Sequence, residues 1–419
     1  MDQLKASGKP FDISKREVWD AWLKVKGNQG APGVDGQSIE DFEKDLRGNL
    51  YKLWNRMSSG TYFPPPVKAV EIPKAHGANG VRVLGVPTVA DRVAQTVVAA
   101  HLDRRVEPVF HPDSYGYRPH RSALDAVGAC QQRCWEYNWV IDLDIRKFFD
   151  SVRWDLVLKA VEAHTDARWV VLYVKRWLAA PLQLPDGTLQ DRDRGTPQGS
   201  SVSPVLANLF MHYAFDAWLA REFPAVVFER YADDAVVHCA TEWQARRVLA
   251  ALHERMAQVG LELHPDKTRI VYCKDSNRRS AFEHVSFTFL GYTFQPRAAR
   301  RKDGVQYTLF LPAVSKEALK KMSSVMRSWR LHRRVGSTEA ELARLVNPVV
   351  RGWMAYYGAF YRRKLSALLH RINTYLLRWI MRKYKKHSNW KKAIKLLAEA
   401  AANRPRYFAH WVWVKPAAG

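Results

Sequence analysis

The sequence predicts an α+β fold made of a mixed body followed by a helical remainder. Three observations predict it. Up to about residue 300, short apolar runs alternating with period two are interleaved with amphipathic helical stretches and turn residues. From Ser315 almost to the end, the apolar spacing is helical alone. The charge divides in the same region: residues 301–419 hold 26 Lys+Arg against 5 Asp+Glu, an excess of 21 within a chain total of +25. With 419 residues, 47% of them hydrophobic, there is material for two or three domains.

The elements follow in order. Val18, Ala21, Trp22 and Val25 recur at helical spacing between Lys15 and Lys26. Gly27 to Gly36 contains four glycines and a proline and reads as a loop, either a plain linker or a backbone able to lie against phosphates. Ile39 to Ser58 is a second helix, ended by Pro64-Pro65-Pro66. Val67–Pro73 and Val81–Gly85 form a hairpin turning at 77–80, with Lys74 at its outgoing end and Arg82 on the return. Thr88 to Arg105 is helical. Val140 to Ile145 is the sharpest strand: Ile141, Leu143 and Ile145 share one face, Asp142 and Asp144 the other. Carboxylates there are costly to bury unless a cation meets them; exposure is the alternative.

A helix from about Arg153 to His164 comes next, then a hairpin over Leu182–Leu189 around Asp186-Gly187. Ser203 as N-cap and Pro204 at the first position start a helix running to about Phe223. Val226 to Cys239 is a hairpin with Tyr231-Ala232-Asp233-Asp234 at its tip. Thr241 and Gln244 form a capping box for a helix stopping near Gly260. Strands resume beyond Phe282. Three helices close the chain, about Ser315–Leu331, Thr338–Phe360 and Leu365–Lys385. Trp353, Tyr356, Tyr357, Phe360 and Tyr361 make an aromatic stripe on the middle one, read as packing rather than a base-stacking platform.

So basic a chain points to a polyanionic partner, nucleic acid or an anionic membrane. No run of about 18 apolar residues exists to span a bilayer, and the polar start, Met1 to Pro10, is unlike a signal peptide. The expectation is a cytoplasmic bacterial protein with no membrane partner. Cys130, Cys134, Cys239 and Cys273 read as buried thiols; Cys130 and Cys134 lack a second pair to complete a zinc site.

Nucleotidyl transfer needs an attacking hydroxyl, a phosphate and a leaving group held in line, with developing charge neutralised. Two divalent ions about 3.5–4 Å apart do this, held by hard oxygen ligands. The pair Asp142/Asp144 on an apolar strand and the pair Asp233/Asp234 on a hairpin tip suit that need. Asp-Asp in a turn is by itself ordinary turn chemistry; Tyr-Ala-Asp-Asp between valine-rich strands, about 90 residues after an aspartate strand, is far more specific.

The chain resembles the reverse transcriptase/maturase proteins of bacterial group II introns. The segments that carry the resemblance occur in the family's order: Ile72-Pro73-Lys74 with Arg82 to Thr88; Ser114-Tyr115-Gly116-Tyr117-Arg118-Pro119; Asp142 to Asp150; Gly195-Thr196-Pro197-Gln198-Gly199; Tyr231 to Asp234; Leu263 to Thr268; and Leu290-Gly291-Tyr292. The resemblance implies a right-hand polymerase fold of fingers and palm followed by a helical thumb, or maturase (X), domain. The corresponding segments are 1–135 (N-terminal extension and fingers), 136–300 (palm), 301–387 (thumb/maturase) and 388–419 (basic C-terminal segment).

The resemblance also implies roles. Asp144, Asp233 and Asp234 would hold two Mg²⁺ ions (Mn²⁺ able to substitute), with the Ile145 carbonyl as a further ligand. Asp144 is preferred to Asp142 because Phe149, five residues on, would lie under the incoming sugar; Asp142 and Asp150 would be supporting acids. Lys74 and Arg82 would clamp the triphosphate, Gln198 would touch the nucleotide sugar or template, and Lys267 would donate a proton to pyrophosphate. The basic helical segment, with Asn347-Pro348 and Arg351-Gly352-Trp353, would grip duplex RNA by its backbone. Expected partners are an RNA template, a DNA or RNA primer, dNTPs and a group II intron RNA.

Two departures stand out. Ser200 and Ser201 follow Gly199 where the family commonly has a second glycine, and no cysteine-paired endonuclease module follows the thumb. The expected function is RNA-directed DNA polymerisation together with help in intron splicing and mobility. Alternatives are a relative recruited to defence or repair, and a non-catalytic RNA-binding splicing factor.

Overall fold

Ser or Thr begins many of the helices, as the cap signals predict. The side chains of Ser14, Ser38, Thr88, Thr241, Ser315 and Thr338 each accept a first-turn backbone N–H, opening helices at Lys15, Ile39, Val89, Glu242, Lys316 and Glu339. The structure, a computed structural model, describes residues 9–73, 81–300 and 303–416, the side chain of residue 387 excepted. Lys74 and the turn at 77–80 lie outside the described residues. The chain divides into two compact units, Met1–Ser122 with Leu143–Arg269, and Ala123–Asp142 with Ile270–Gly419.

In the first unit, helices Lys15–Asn28, Ile39–Lys44 and Leu46–Ser58 precede an antiparallel hairpin, Val67–Pro73 with Val81–Val86, in which Ile72 faces Arg82. The expected single helix over 39–58 is two. Asp45 leaves helical geometry and its carboxylate accepts the Gly48 N–H, so a new helix starts there. The hairpin is extended by the short strands Leu182–Gln183 and Leu189–Gln190 into one four-stranded sheet. Helix Val89–Val106 buries most of its circumference, including Val93, Val97, Val98 and Leu102, and is the central helix of this unit.

Helix Ser203–Met211 continues through a π-helical turn, His212–Asp216, into Ala217–Glu222. Its cap differs from expectation. Val202 is the N-cap, while the Ser203 hydroxyl turns back to the Pro197 carbonyl at 2.9 Å. The Thr241 box is half made, since Gln244 Oε1 accepts from Ala240 N at 2.8 Å. Strands Val227–Tyr231 and Asp234–Cys239 pair as the expected hairpin, Tyr231 facing Asp234.

The second unit holds helix Ala123–Glu136, strand Trp139–Leu143 up to its last residue, and an antiparallel sheet of Phe287–Phe289, Tyr292–Arg300 and Gln306–Val314. Helices Lys316–Ser328, Glu339–Tyr357 and Arg362–Lys383 follow, then a fourth helix, Trp390–Asn403, that the periodicity did not suggest. Residues 407–414 pack against the helices before them. Asn347 Nδ2 donates to the Tyr407 carbonyl at 2.8 Å and its Oδ1 accepts Ala409 N. Asn373 Oδ1 accepts from Trp411 Nε1 at 2.9 Å, and Trp411 is fully buried. Truncating such a side chain costs about 3–5 kcal/mol.

The aromatic stripe is packing, as read. Tyr292 is fully buried with its ring 5.3–5.7 Å from those of Tyr356, Tyr357 and Phe360, and Trp353 stacks on Trp329. Leu290 and Gly291 turn with positive φ to bring Tyr292 there. All four cysteines are buried. Among the described residues no helix is long and apolar enough to cross a membrane.

Candidate active site

The site is built around two backbone features of the first unit. One is the segment Asp144–Arg146, just after the strand ends. It runs antiparallel to 262–264: the Asp144 carbonyl accepts His264 N at 2.8 Å, Ile145 bridges Leu263, and Arg146 N donates to the Glu262 carbonyl at 2.8 Å. Thr268 clasps the same residue, its hydroxyl 3.3 Å from Asp144 N and 3.2 Å from Asp144 O. The Leu263–Thr268 motif therefore fixes the main chain that carries the Asp144 carboxylate.

The second feature is the hairpin tip. Ala232 adopts φ 57°, in the left-handed region, which a short alanine tolerates at a cost. A buried arginine underneath holds it. Arg230 and Asp216 are both fully buried and bidentate, Nε–Oδ1 2.7 Å and Nη2–Oδ2 2.6 Å. Nη1 donates to the Ala232 carbonyl at 2.8 Å and to Asn208 Oδ1 at 3.1 Å, and Nη2 also donates to Ser114 Oγ at 2.8 Å. Every guanidinium N–H is thus used, one of them on the strained turn itself. The segment before Tyr117 is laid along the same strand, Tyr115 N donating to the Arg230 carbonyl at 2.8 Å. Gly116 must be glycine there, because a Cβ would stand 2.5 Å from Ala232 N.

These features leave Asp144 and Asp233 close enough for the charge of one to act on the other. Burial first, and then the charge of Asp144, push the Asp233 carboxyl above its ordinary range; its own backbone N–H and the charges of Arg82 and Arg230 act the other way. Asp234 is exposed at the start of the return strand. Lys267 Nζ sits 3.1 Å from Asp144 Oδ2, both side chains partly exposed. The candidate oxygens, three carboxylates and the Ile145 carbonyl, are all hard donors of the kind divalent cations prefer.

The remaining candidates line the same unit. Phe149 accepts Thr196 N on its carbonyl at 2.7 Å, and the Gln198 carbonyl accepts Gly85 N at 2.7 Å, which ties the Gly195–Gly199 loop to the strand that carries Arg82. Gly199, at φ 109°, has no room for a Cβ, which would meet the Gly85 carbonyl at 2.5 Å. Asp150 is exposed and its charge acts on Arg192.

A family model described as "Reverse transcriptase (RNA-dependent DNA polymerase)" matches residues 72–294, more than half of the chain. The chain belongs to this reverse transcriptase family. A second model, "Group II intron, maturase-specific domain", matches residues 319–396. This is accordingly a reverse transcriptase of the group II intron maturase type, with a right-hand polymerase fold and a divalent-metal-dependent chemistry. It is similar to Protein YkfC of Escherichia coli, 29% identical over 66% of this chain and 79% of that protein. It is also similar to the group II intron-encoded protein LtrA of Lactococcus lactis, 28% identical over 46% of this chain but only 32% of that protein. A telomerase from Candida albicans aligns over 90% of this chain and 68% of its own, at 12% identity and a TM-score of 0.49.

The structure gathers Asp144, Ile145, Asp233, Asp234, Arg82, Phe149, Gln198 and Lys267 in one unit of the reverse transcriptase; Lys74 lies outside the described residues. What the sequence did not disclose is the support beneath the tip: Arg230, Asp216, Asn208 and Ser114. A signal existed, since an Arg in a strand flanked by apolar residues and an Asp in a largely apolar helical run each need a partner when buried. Their pairing was not readable without the fold.

Proposed function

We propose that this reverse transcriptase extends a DNA or RNA primer on an RNA template with dNTPs, using two Mg²⁺ ions held by Asp144, Asp233 and Asp234 with the Ile145 carbonyl. The observation that carries the reading is the convergence of Asp144 and Asp233, each close enough for the first to act on the second's proton affinity. When bound, the ions supply charge neutralisation at the transferring phosphoryl group and activation of the primer hydroxyl. The protein's part is to hold the oxygens. Thr268 and His264 fix the Asp144 backbone, and Arg230 fixes the turn before Asp233.

Arg82, exposed and acting on Asp233 by its charge, would meet the triphosphate together with Lys74. Phe149 would lie under the sugar and Gln198 beside it. Lys267, already at an Asp144 oxygen, would reach the leaving pyrophosphate as its acid. The roles of fingers, palm and thumb follow 1–135, 136–300 and 301–387, with 388–419 closing the helical part. Primer extension on an RNA template tests the reading: Mg²⁺-dependent products with the wild type and none with Asp233→Ala. Products in the variant would remove Asp233 from the site, and none from the wild type, with or without its RNA, would favour a non-catalytic splicing factor.

The maturase-specific match and the cationic excess after residue 301 favour a second role, binding group II intron RNA and assisting its splicing and mobility. Sequencing RNA that copurifies from cells tests it; recovery of no intron RNA would favour a polymerase recruited to another purpose.

A further inference from the structure

Behind the Gln198 loop lies a buried polar chain that the reaction as described does not use. Asp91, in the first turn of helix Val89–Val106, is buried and accepts three neutral donors: Tyr62 Oη at 2.7 Å and Trp177 Nε1 at 2.7 Å on one oxygen, and Gln95 Nε2 at 2.9 Å on the other. Gln95, also buried, turns its Oε1 the opposite way, toward the loop. It accepts Ser200 Oγ at 2.7 Å and Ser201 N at 2.8 Å. The amide has one permitted orientation. Ser201 N–H can only donate, so oxygen must face it; a carboxylate can only accept, so nitrogen must face Asp91.

We propose that Asp91 and Gln95 are positioning residues for nucleotide binding: the Asp91 carboxylate sets the orientation of the Gln95 amide, and Gln95 holds the loop that presents Gln198. This rests on the reading of Gln198 as a nucleotide contact. Around Gln198 itself the loop is held by Gly85 N on the Gln198 carbonyl at 2.7 Å and by the close approach of Gly199 to Gly85. Before it, Thr196 N donates to the Phe149 carbonyl at 2.7 Å and the Ser203 hydroxyl to the Pro197 carbonyl at 2.9 Å. Gln95 is the side chain that holds Ser200 and Ser201 just after it. Turning the amide round would aim two N–H groups at Ser201 N–H and release the loop on its helix side.

The polarity can be moved without changing the shape. In Asp91→Asn, the new amide still accepts from Tyr62 and Trp177 but donates toward Gln95, which must flip. Adding Gln95→Glu restores an acceptor on both sides of position 95, one oxygen for the amide donor introduced at position 91 and the other for Ser201 N–H. Burial pushes the Asp91 carboxyl up to about 6, against the donors Tyr62, Trp177 and Gln95, while Arg56 and Tyr173 act on Tyr62. Below that pH a protonated Asp91 becomes a donor and has the same effect as the amide.

The test is single-nucleotide incorporation by the full chain on an RNA template, with KM for dNTP and kcat measured separately alongside the unfolding midpoint. Asp91→Asn should raise KM about tenfold, the scale of one or two displaced hydrogen bonds, with kcat within about twofold and no fall in midpoint. Asp91→Asn/Gln95→Glu should return KM to near the wild-type value. The wild-type KM should rise below pH 6, and this step should be absent in Asp91→Asn, which has no carboxyl at position 91 to protonate. An unchanged KM in Asp91→Asn, or a lowered midpoint with no rescue in the double variant, would overturn the proposal. Gln198→Ala separates the two readings: if it leaves KM unchanged, the nucleotide role of the loop fails; if it raises KM while Asp91→Asn does not, only the positioning role fails.

Discussion

The hairpin tip at 231–234 and the basic helices after Ser315 handle charge in opposite ways. Under the tip, one guanidinium is fully buried and all its donors are committed. On the helices, Lys320, Lys321, Arg363, Lys364, Arg378, Lys391 and Lys392 are exposed. A buried charge is tolerated only with complete, well-aligned partners, so it fixes geometry. Exposed cations on flexible stems fix little, but together they attract a polyanion that comes within about a Debye length. Phosphoryl transfer needs the first kind of charge to hold metal ligands in place, and RNA retention needs the second.

The contrast can be broken most sharply at the tip. Asp233→Ala should lower primer extension by about 10³-fold or more, since a lost ligand removes several kcal/mol of charge stabilisation. RNA affinity in a filter-binding assay should stay within about twofold. A parallel fall in affinity would mean that the two regions are not separable. Asp216→Asn should destabilise the chain by about 3–5 kcal/mol, because it strands a buried guanidinium. Lys321→Ala should change stability by less than about 0.5 kcal/mol. Denaturant midpoints measure both, and equal costs would erase the distinction.

Smaller effects sharpen it. Doubling the salt should weaken RNA binding by about tenfold or more if several phosphates are engaged by the basic helices; a flat response would deny them that role. The pH dependence belongs to the tip. Because burial and Asp144 raise the proton affinity of Asp233, protons compete with Mg²⁺ there at higher pH than at an ordinary aspartate, near about 3.9. At limiting Mg²⁺ the rate should fall as pH falls through that raised value, and extra Mg²⁺ should move the acid limb lower. An acid limb indifferent to Mg²⁺ would point to another group.

Much of this was legible in one sequence because it depends on local patterns. Period-two alternation located the strand before Asp144, continuous valine-rich runs located both strands around Asp233, and Ser or Thr caps located helix starts. The misses were decided by contacts. Asp45 splits a helix whose apolar spacing runs straight through it. Ser203 gives its hydroxyl to the Pro197 carbonyl instead of capping. The fourth basic helix, Trp390–Asn403, does carry an apolar stripe, Ala393, Leu397 and Ala401, that the sequence reading did not use, and it packs in the same unit in which Asn347 and Asn373 hold residues 407–414.

By itself the sequence determined the element types, the candidate acids and the uneven charge, since propensity, alternation and composition are properties of neighbouring residues. Only the tertiary structure decided which acids converge, that Arg230 would pair with Asp216 beneath the turn, and which way the Gln95 amide must face. Those outcomes turn on desolvation and on donor–acceptor matching between segments far apart in the chain. No local pattern records them.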